Sequence, residues 1–151
     1  MLQISKADYD MIRWEAERSY PNECCGILLG SISGHQRKVT LTVTCENTRH
    51  DSPVNRYSID PEKVIAALKL ARSRSETIVG FYHSHPDHPP EYSGTDLTEA
   101  YWFDCSYVIT AVEGGRAAAT TSFVLLGSED DKRFAEEPIK IVAYEGLQVA
   151  L

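Results

Sequence analysis

The sequence predicts an α/β domain of the α+β kind, in which a mixed sheet is flanked by helices. Segments with helical and with strand periodicity alternate in the earlier part of the chain, whereas the later strand-like segments follow one another directly. The length of 151 residues suits one domain with its own hydrophobic core. Because no repeat, linker or low-complexity tract divides the sequence, we expect residues 1–151 to form a single domain.

The first half of the chain contains two helix patterns and three strand patterns. The first helix is predicted from Ser5 to Arg18, where apolar residues recur at near-helical spacing and Ser5 or Asp8 can cap the first turn. The second begins at Pro61, whose preset φ suits a helix start, and continues as an amphipathic segment to residue 74. Strands are predicted over CCGILLG (24–30), KVTLTVTC (38–45) and RYSID (56–60), with a polar loop at 46–55.

The second half begins with a strand, TIVGFYH (77–83), and a proline-rich loop over 84–92, where prolines exclude both helix and ladder. A helix is predicted from Ser93 to about Phe103. Two strands, SYVITAV (106–112) and AAATTSFVLL (117–126), are predicted to form a hairpin turned by residues 113–115. We expect a polar stretch over 127–137 and a final strand over 138–144.

The charge and the apolar segments exclude two classes of function. A formal net charge of -7 repels phosphate backbones, so nucleic acid is not an expected partner. The first residues lack a basic region followed by an apolar stretch, and no segment approaches the roughly 18 apolar residues of a membrane span. We therefore expect a cytoplasmic protein that does not engage a membrane.

The cysteines are expected to be reduced core residues. They are Cys24, Cys25, Cys45 and Cys105. Free cysteine in a reducing compartment behaves as a small buried hydrophobe. Because no C-x-x-C pair is present, the sequence offers little support for a structural zinc site built on cysteine.

The segment with the clearest chemistry starts at two histidines, His83 and His85, at the end of a predicted strand. Side chains two residues apart in a strand point to the same face, so both imidazoles can approach one ion. The loop that follows is stiffened by Pro86, Pro89 and Pro90. An H-x-H pair alone is more often a surface or core feature than a metal site.

The same segment continues with S-x-x-D, formed by Ser93 and Asp96, at a predicted helix start. Helical side chains lean toward the N-terminus, which aims Asp96 back over the loop toward His83 and His85. Two imidazoles and one carboxylate leave a fourth position for water, which is the arrangement of catalytic zinc. S-x-x-D alone is usually a plain helix start, and it is the conjunction of these features that favours a metal centre.

Two motifs resemble those of a known family. H-S-H at 83–85, seven residues from Pro86 to Tyr92, and then S-x-x-D at 93–96 resemble the signature of the JAMM metallopeptidases, the catalytically competent class of MPN domains. PNECCGILLG resembles the earlier P-x-E-x-C-G-x-L-x-G context of that family, and its glutamate is Glu23. Weaker similarity continues through RYSIDPE and around Trp102, so that the resemblance spans about residues 5–126.

The resemblance implies a fold, an activity and residue roles. The fold would be JAB1/MPN-like, and thus cytidine-deaminase-like. His83, His85 and Asp96 would hold one zinc ion per chain. Glu23 would take a proton from the attacking water and pass it to the leaving amine, and Ser93 would donate to the developing oxyanion. The protein would be a peptidase or isopeptidase that cleaves after the C-terminal Gly-Gly of a ubiquitin-like or sulfur-carrier protein, like the small stand-alone prokaryotic members.

Two alternatives fit the sequence less well. A non-catalytic MPN-type scaffold that binds a ubiquitin-like partner usually lacks one or more motif residues. All five motif residues are present here: Glu23, His83, His85, Ser93 and Asp96. Cupins combine H-x-H with a later histidine, and zinc deaminases combine H-x-E with C-x-x-C. Neither pattern occurs, since no histidine follows His88 and no C-x-x-C exists. We expect His88, His35 and His50 to be exposed rather than ligands.

Overall fold

The computed structural model describes residues 1–143 and 147–150. The helices in this part of the chain are α1 (Lys6–Ser19), α2 (Pro61–Ser73) and α3 (Gly94–Glu99). The strands are β1 (Leu2–Ser5), β2 (Cys25–Ser33), β3 (Gln36–Cys45), β4 (Thr77–Pro86), β5 (Ser106–Glu113), β6 (Arg116–Ser128), β7 (Asp131–Glu137), β8 (Ile139–Val142) and β9 (Leu147–Ala150). No helix among the described residues has both the length and the apolar character needed to cross a bilayer.

All the described strands join one sheet, in the order β7-β6-β5-β4-β2-β3-β1-β8, with β9 paired to β3. Strand β2 is antiparallel to both β3 and β4, whereas β4 and β5 are parallel. The predicted mixed sheet is therefore confirmed. Alternate residues of its central strands enter two apolar clusters on opposite faces, one with α1 and the other with α2, so that helices flank the sheet as predicted.

Both long helices begin where their capping residues predict. The Ser5 hydroxyl accepts a hydrogen bond from the Asp8 amide at 3.0 Å and starts α1. Asp60 caps α2, with Pro61 in its first turn. The predicted hairpin is also confirmed, since β5 and β6 pair around Gly114 and Gly115, both with positive φ.

The expected short strand at 56–60 was wrong. The Asn47 side chain instead bonds the Arg56 carbonyl and the Ser58 amide, and Thr48 donates two hydrogen bonds to the Ser58 carbonyl. These bonds hold the segment against the preceding loop, and no sheet ladder includes it.

The third helix is shorter than predicted and ends at Glu99, because Ala100 adopts an extended conformation. Lys132 on β7 donates to the carbonyls of Thr98 and Ala100, which closes this end of the helix. Trp102 and Phe103 pack against the core outside any helix, whereas Tyr101 is exposed.

Strands β1, β7 and β9 were not predicted from the sequence. The first has four residues, too few to show a period, and the second is a charged run at the edge of the sheet, where outward charges are tolerated. The final strand was predicted over 138–144, and β8 spans Ile139–Val142, while residue 144 lies outside the described part.

The four cysteines are free and buried, as expected. Burial raises the pKa of the Cys24 thiol and of the Cys105 thiol to about 12, so both stay protonated and unreactive at neutral pH.

Strand β4 approaches β5 closely at Gly80. A Cβ atom added there would overlap the backbone oxygen of Ser106, which cannot move without disturbing the parallel ladder. We expect Gly80→Ala to lower the free energy of unfolding by about 1–3 kcal/mol, as overpacked core sites do. Gly94→Ala is the matched control, because no atom lies within 4 Å of its added Cβ. Denaturant unfolding of both variants checks this, and equal midpoints would show that the ladder accommodates the methyl group.

Candidate metal centre

The end of β4 presents two imidazoles on one face of the sheet. His83 and His85 are 1% and 7% exposed, and their Nε2 atoms lie 3.2 Å apart. The strand continues to Pro86 through its parallel pairing with β5, three residues beyond the predicted end at His83. Both histidines therefore project from regular sheet, where alternation directs them to the same side.

The start of α3 brings a carboxylate to these imidazoles. Ser93 caps the helix through a capping box, in which its hydroxyl accepts from the Asp96 amide and its own amide donates to Asp96 Oδ2 at 2.9 Å. Asp96 Oδ1 lies 3.3 Å from His83 Nε2, and Asp96 Oδ2 lies 3.1 Å from His85 Nε2. The spacing of S-x-x-D and the geometry of the first helical turn thus orient the carboxylate.

These three residues fit a metal ion. Their donor atoms all lie within 4.8 Å of one another, and the donor set consists of two imidazole nitrogens and one carboxylate oxygen. A tetrahedral ion with ligand bonds of 2.0–2.1 Å separates its ligand atoms by about 3.3–3.4 Å. The two Nε2 atoms lie 3.2 Å apart, and each lies 3.1–3.3 Å from the nearer Asp96 oxygen, which is close to that value. The predicted convergence of His83, His85 and Asp96 is confirmed as geometry.

The surroundings orient both rings. His85 Nδ1 donates to the Pro89 carbonyl at 2.9 Å, which directs Nε2 into the centre, where the neutral form of the ring carries its lone pair. The His83 ring instead stacks on Tyr57, with ring centroids 4.5 Å apart and planes inclined by 24°. His83 Nδ1 is buried without a hydrogen-bond partner, so packing rather than a hydrogen bond holds this ring.

The electrostatics of the centre favour the ligand forms of two of its residues. Burial raises the pKa of Asp96, but hydrogen bonds from His83 and His85 outweigh it and hold that pKa well below its usual range. Burial lowers the pKa of His83. Burial also lowers the pKa of His85, yet Asp96 and the Pro89 carbonyl outweigh it, and the net shift is upward. Asp96 is thus anionic and His83 neutral near pH 7.

Glu23 reaches the centre because the start of β2 is fastened beside the end of β4. The Cys24 amide donates to the Ser84 hydroxyl at 2.8 Å, and the Ser84 amide donates to the Cys24 carbonyl at 3.3 Å. The Glu23 amide donates to the Pro53 carbonyl, and the Asn47 side chain donates to the Glu23 carbonyl. The backbone of Glu23 is therefore held by the loop between β3 and α2 as well as by β4.

The carboxyl group of Glu23 is buried and has a raised pKa. The residue is 4% exposed, and its Oε1 atom is buried with no hydrogen-bond partner. Desolvation raises the pKa of Glu23 to about 8, with Asp96 and Glu99 raising it further and His85 opposing the rise. A carboxyl that titrates near neutrality can both accept and return a proton.

Glu23, His85 and Ser93 line one cavity of about 390 Å³. The Ser93 hydroxyl accepts from the Asp96 amide, so its own hydrogen remains available to a ligand in the cavity. His88 also lines the cavity but is exposed and lies outside the donor group, while His35 and His50 are exposed elsewhere, as expected. The predicted exposure of His88, His35 and His50 is therefore confirmed.

A family model of the prokaryotic homologues of the JAB domain matches residues 5–125. The chain belongs to the prokaryotic JAB-domain family. This membership confirms the resemblance to JAMM and MPN-type proteins that the two motifs indicated. The prokaryotic JAB-domain fold also accounts for the mixed sheet with helices on both faces.

Three relatives of this prokaryotic JAB-domain protein carry functional names. A desampylase of Haloferax volcanii is 36% identical over 98 residues, which cover 65% of this chain and 68% of the relative. A probable TtuB-protein conjugate cleaving protease of Thermus thermophilus is 34% identical over 117 residues, 78% of this chain and 74% of the relative. A CysO-cysteine peptidase of Mycobacterium tuberculosis is 25% identical over 127 residues, 84% of this chain and 82% of the relative.

Two solution structures share the fold of this prokaryotic JAB-domain protein. A protein from Desulfitobacterium hafniense superimposes with a TM-score of 0.80 at 28% identity, covering 95% of this chain and 94% of the other. A protein from Salinibacter ruber gives a TM-score of 0.69 at 32% identity, with coverage of 95% and 94%.

The residues that support the site of this prokaryotic JAB-domain protein from outside the donor set were not predicted from the sequence. Tyr57 on His83, the Pro89 carbonyl on His85 and the Ser84 hydroxyl at Cys24 had no assigned role. Only Ser84 gave a usable signal, because alternation places it on the face opposite the two histidines. The other contacts join segments whose separation in space no local pattern reveals.

Proposed function

We propose that this protein is a zinc-dependent peptidase or isopeptidase that hydrolyses the amide bond after the C-terminal Gly-Gly of a ubiquitin-like or sulfur-carrier protein. The observation that carries the proposal is the convergence of two imidazoles and a carboxylate beside a buried, unpartnered glutamate. The names of the relatives, which include a desampylase, a TtuB-conjugate protease and a CysO-cysteine peptidase, support the substrate class.

The donor set supports zinc as the metal, held by His83, His85 and Asp96. Two imidazoles and one carboxylate that leave a fourth position open are typical of catalytic zinc sites. When bound, zinc polarises the scissile carbonyl and lowers the pKa of the attacking water to about 7.

The protein's own groups would carry the proton transfers. Glu23 takes a proton from the attacking water and gives it to the leaving amine, which its raised pKa permits in both directions. Ser93 donates its hydroxyl hydrogen to the oxygen that gains charge in the transition state. Both side chains line the cavity that also contains His85, where a substrate carbonyl has access to them.

The single sheet joining all described strands supports our proposal that residues 1–151 act as one domain. The four free, buried cysteines fit a reducing compartment, which supports a cytoplasmic location.

Incubation with candidate carriers tests the proposed function directly. We expect carriers extended beyond a C-terminal Gly-Gly to be cleaved after the second glycine, because the water, the proton carrier and the oxyanion donor would all act on that carbonyl. Product mass identifies the bond, a chelator should abolish cleavage, and added zinc should restore it. Carrier binding without cleavage in the presence of zinc would instead identify a non-catalytic scaffold and contradict the proposal.

A further inference from the structure

A second cavity of about 230 Å³ lies beside the centre, and the proposed mechanism assigns it no role. Its lining consists mainly of aromatic residues and is called here the aromatic cavity: Tyr57, Ser58, Ile59, Phe81, Glu99, Tyr101, Trp102 and Tyr107. These residues come from three parts of the chain. They are 57–59 in the RYSIDPE segment, Phe81 on β4, and the stretch 99–107 from the end of α3 to the start of β5.

The aromatic cavity adjoins the metal centre through shared elements. The Tyr57 ring that lines it stacks directly on the His83 ring. Phe81 precedes His83 by two residues on the same face of β4, and Glu99 follows Asp96 by about one turn of α3. A ligand that crosses the centre therefore has this cavity within reach.

The walls of the aromatic cavity are apolar and rigid. The Phe81 ring lies 5.6 Å from both Trp102 and Tyr107, measured between centroids, so the three rings form a packed floor. Tyr101 is 62% exposed and forms an outer wall. Rings packed in this way offer a preformed surface to an apolar side chain.

The charged groups at the rim are already engaged within the chain. Glu99 lies 3.9 Å from the Arg49 guanidinium. Lys132 lies over the Tyr101 ring at 4.8 Å and donates to the carbonyl of Ala100 at 3.0 Å. These charged groups already have partners within the chain. We therefore expect the cavity to bind an uncharged side chain more tightly than a charged one.

The position of Glu23 indicates which part of a substrate the aromatic cavity faces. Glu23 lines the other cavity, with His85, and there it would protonate the leaving amine. The acyl portion of the substrate then extends the opposite way, past His83. At about 3.3 Å per residue of extended chain, the two residues from His83 to Phe81 span about 7 Å. Two glycines cover that distance, and the next residue is the first with a side chain.

We propose that the aromatic cavity is a specificity subsite that binds a large apolar side chain, such as leucine, immediately before the Gly-Gly of the carrier tail. Its assignment to the acyl side rests on the proposed function. The subsite selects among carriers by the side chain at this one position.

Tryptophan fluorescence tests the subsite without catalysis. The chain has two tryptophans, of which Trp14 is 48% exposed on α1, so the Trp14→Phe variant reports on Trp102 alone. The probes are the cleavage products acetyl-Leu-Gly-Gly, acetyl-Ala-Gly-Gly and acetyl-Lys-Gly-Gly, titrated into the zinc-loaded protein. We expect the leucine peptide to change the Trp102 signal and to bind about tenfold more tightly than the alanine peptide, since it buries more apolar area.

Tyr101→Ala removes the outer wall with little risk to folding, because the side chain is exposed. We expect it to reduce the preference for leucine over alanine to about threefold or less. Ile65→Ala is the matched control, as Ile65 is 55% exposed on α2, away from the cavity lining, and should keep the preference. Equal binding of the leucine and alanine peptides, tighter binding of the lysine peptide, or full preference in Tyr101→Ala would each overturn the subsite.

The two proposals fail separately. Leucine-selective binding at Trp102 with no cleavage of any carrier would support the subsite and contradict the proposed hydrolase. Cleavage after Gly-Gly with equal rates for leucine and alanine carriers would support the hydrolase and overturn the subsite.

Discussion

Glu23→Gln is expected to lower kcat by about 10²- to 10⁴-fold, the range that general acid–base groups contribute. Glutamine preserves the shape of the side chain but can neither accept a proton from water nor return it to an amine. Zinc content should stay at that of the unchanged protein, because Glu23 lies outside the donor group of His83, His85 and Asp96. Steady-state cleavage of a Gly-Gly-extended carrier, with metal analysis of the same sample, measures both quantities.

The matched control for Glu23→Gln is Glu113→Gln, an exposed position at the end of β5 that removes the same charge. It should leave kcat unchanged. If Glu23→Gln retained full activity with zinc bound, another residue would have to carry the proton and the assigned role of Glu23 would fail.

The stability of metal-free Glu23→Gln relative to the unchanged protein should rise with pH. Burial raises the pKa of Glu23 from 4.5 to about 8, so ionisation is disfavoured in the folded, metal-free protein. The contribution of this group to the free energy of unfolding is fully present below pH 4.5 and is lost as the pH rises toward 8. Metal-free Glu23→Gln should therefore gain stability relative to the unchanged protein between pH 5 and 8, as measured by denaturant unfolding.

Asp96→Asn is expected to weaken zinc binding by at least about a hundredfold, more than the loss of an outer-shell partner typically costs. The amide keeps the size of the side chain but removes the negative charge that faces both Nε2 atoms. Chelator competition measures the affinity. Added zinc should raise the melting temperature of the unchanged protein by mass action and should fail to do so for the variant.

Asp130→Asn, at an exposed position between β6 and β7, is the control for the loss of one charge. It should bind zinc like the unchanged protein. Unaltered affinity in Asp96→Asn would mean that the carboxylate is only a helix-capping group and that the centre lacks its third ligand.

Elements with a strong local sequence pattern were predicted correctly. Elements whose existence or bounds depend on contacts with other parts of the chain were not. Helix α1 and the β5–β6 hairpin follow from a capping serine and from paired glycines, both of which act within a few residues. Strand β7 was missed because a charged run becomes a strand only beside β6. Helix α3 was predicted too long, since its end depends on Lys132 from a distant strand.

By itself the sequence determined the convergence of His83, His85 and Asp96. Alternation in β4 pairs the histidines and the capping box at Ser93 aims Asp96, and both effects are local. Only the tertiary structure decided what surrounds it. The bond from Cys24 to Ser84, between residues 60 apart, brings Glu23 to the centre. Burial there raises its pKa, and the aromatic cavity forms from three separate segments. Desolvation and cavity shape depend on which segments meet, and that is a property of the folded chain.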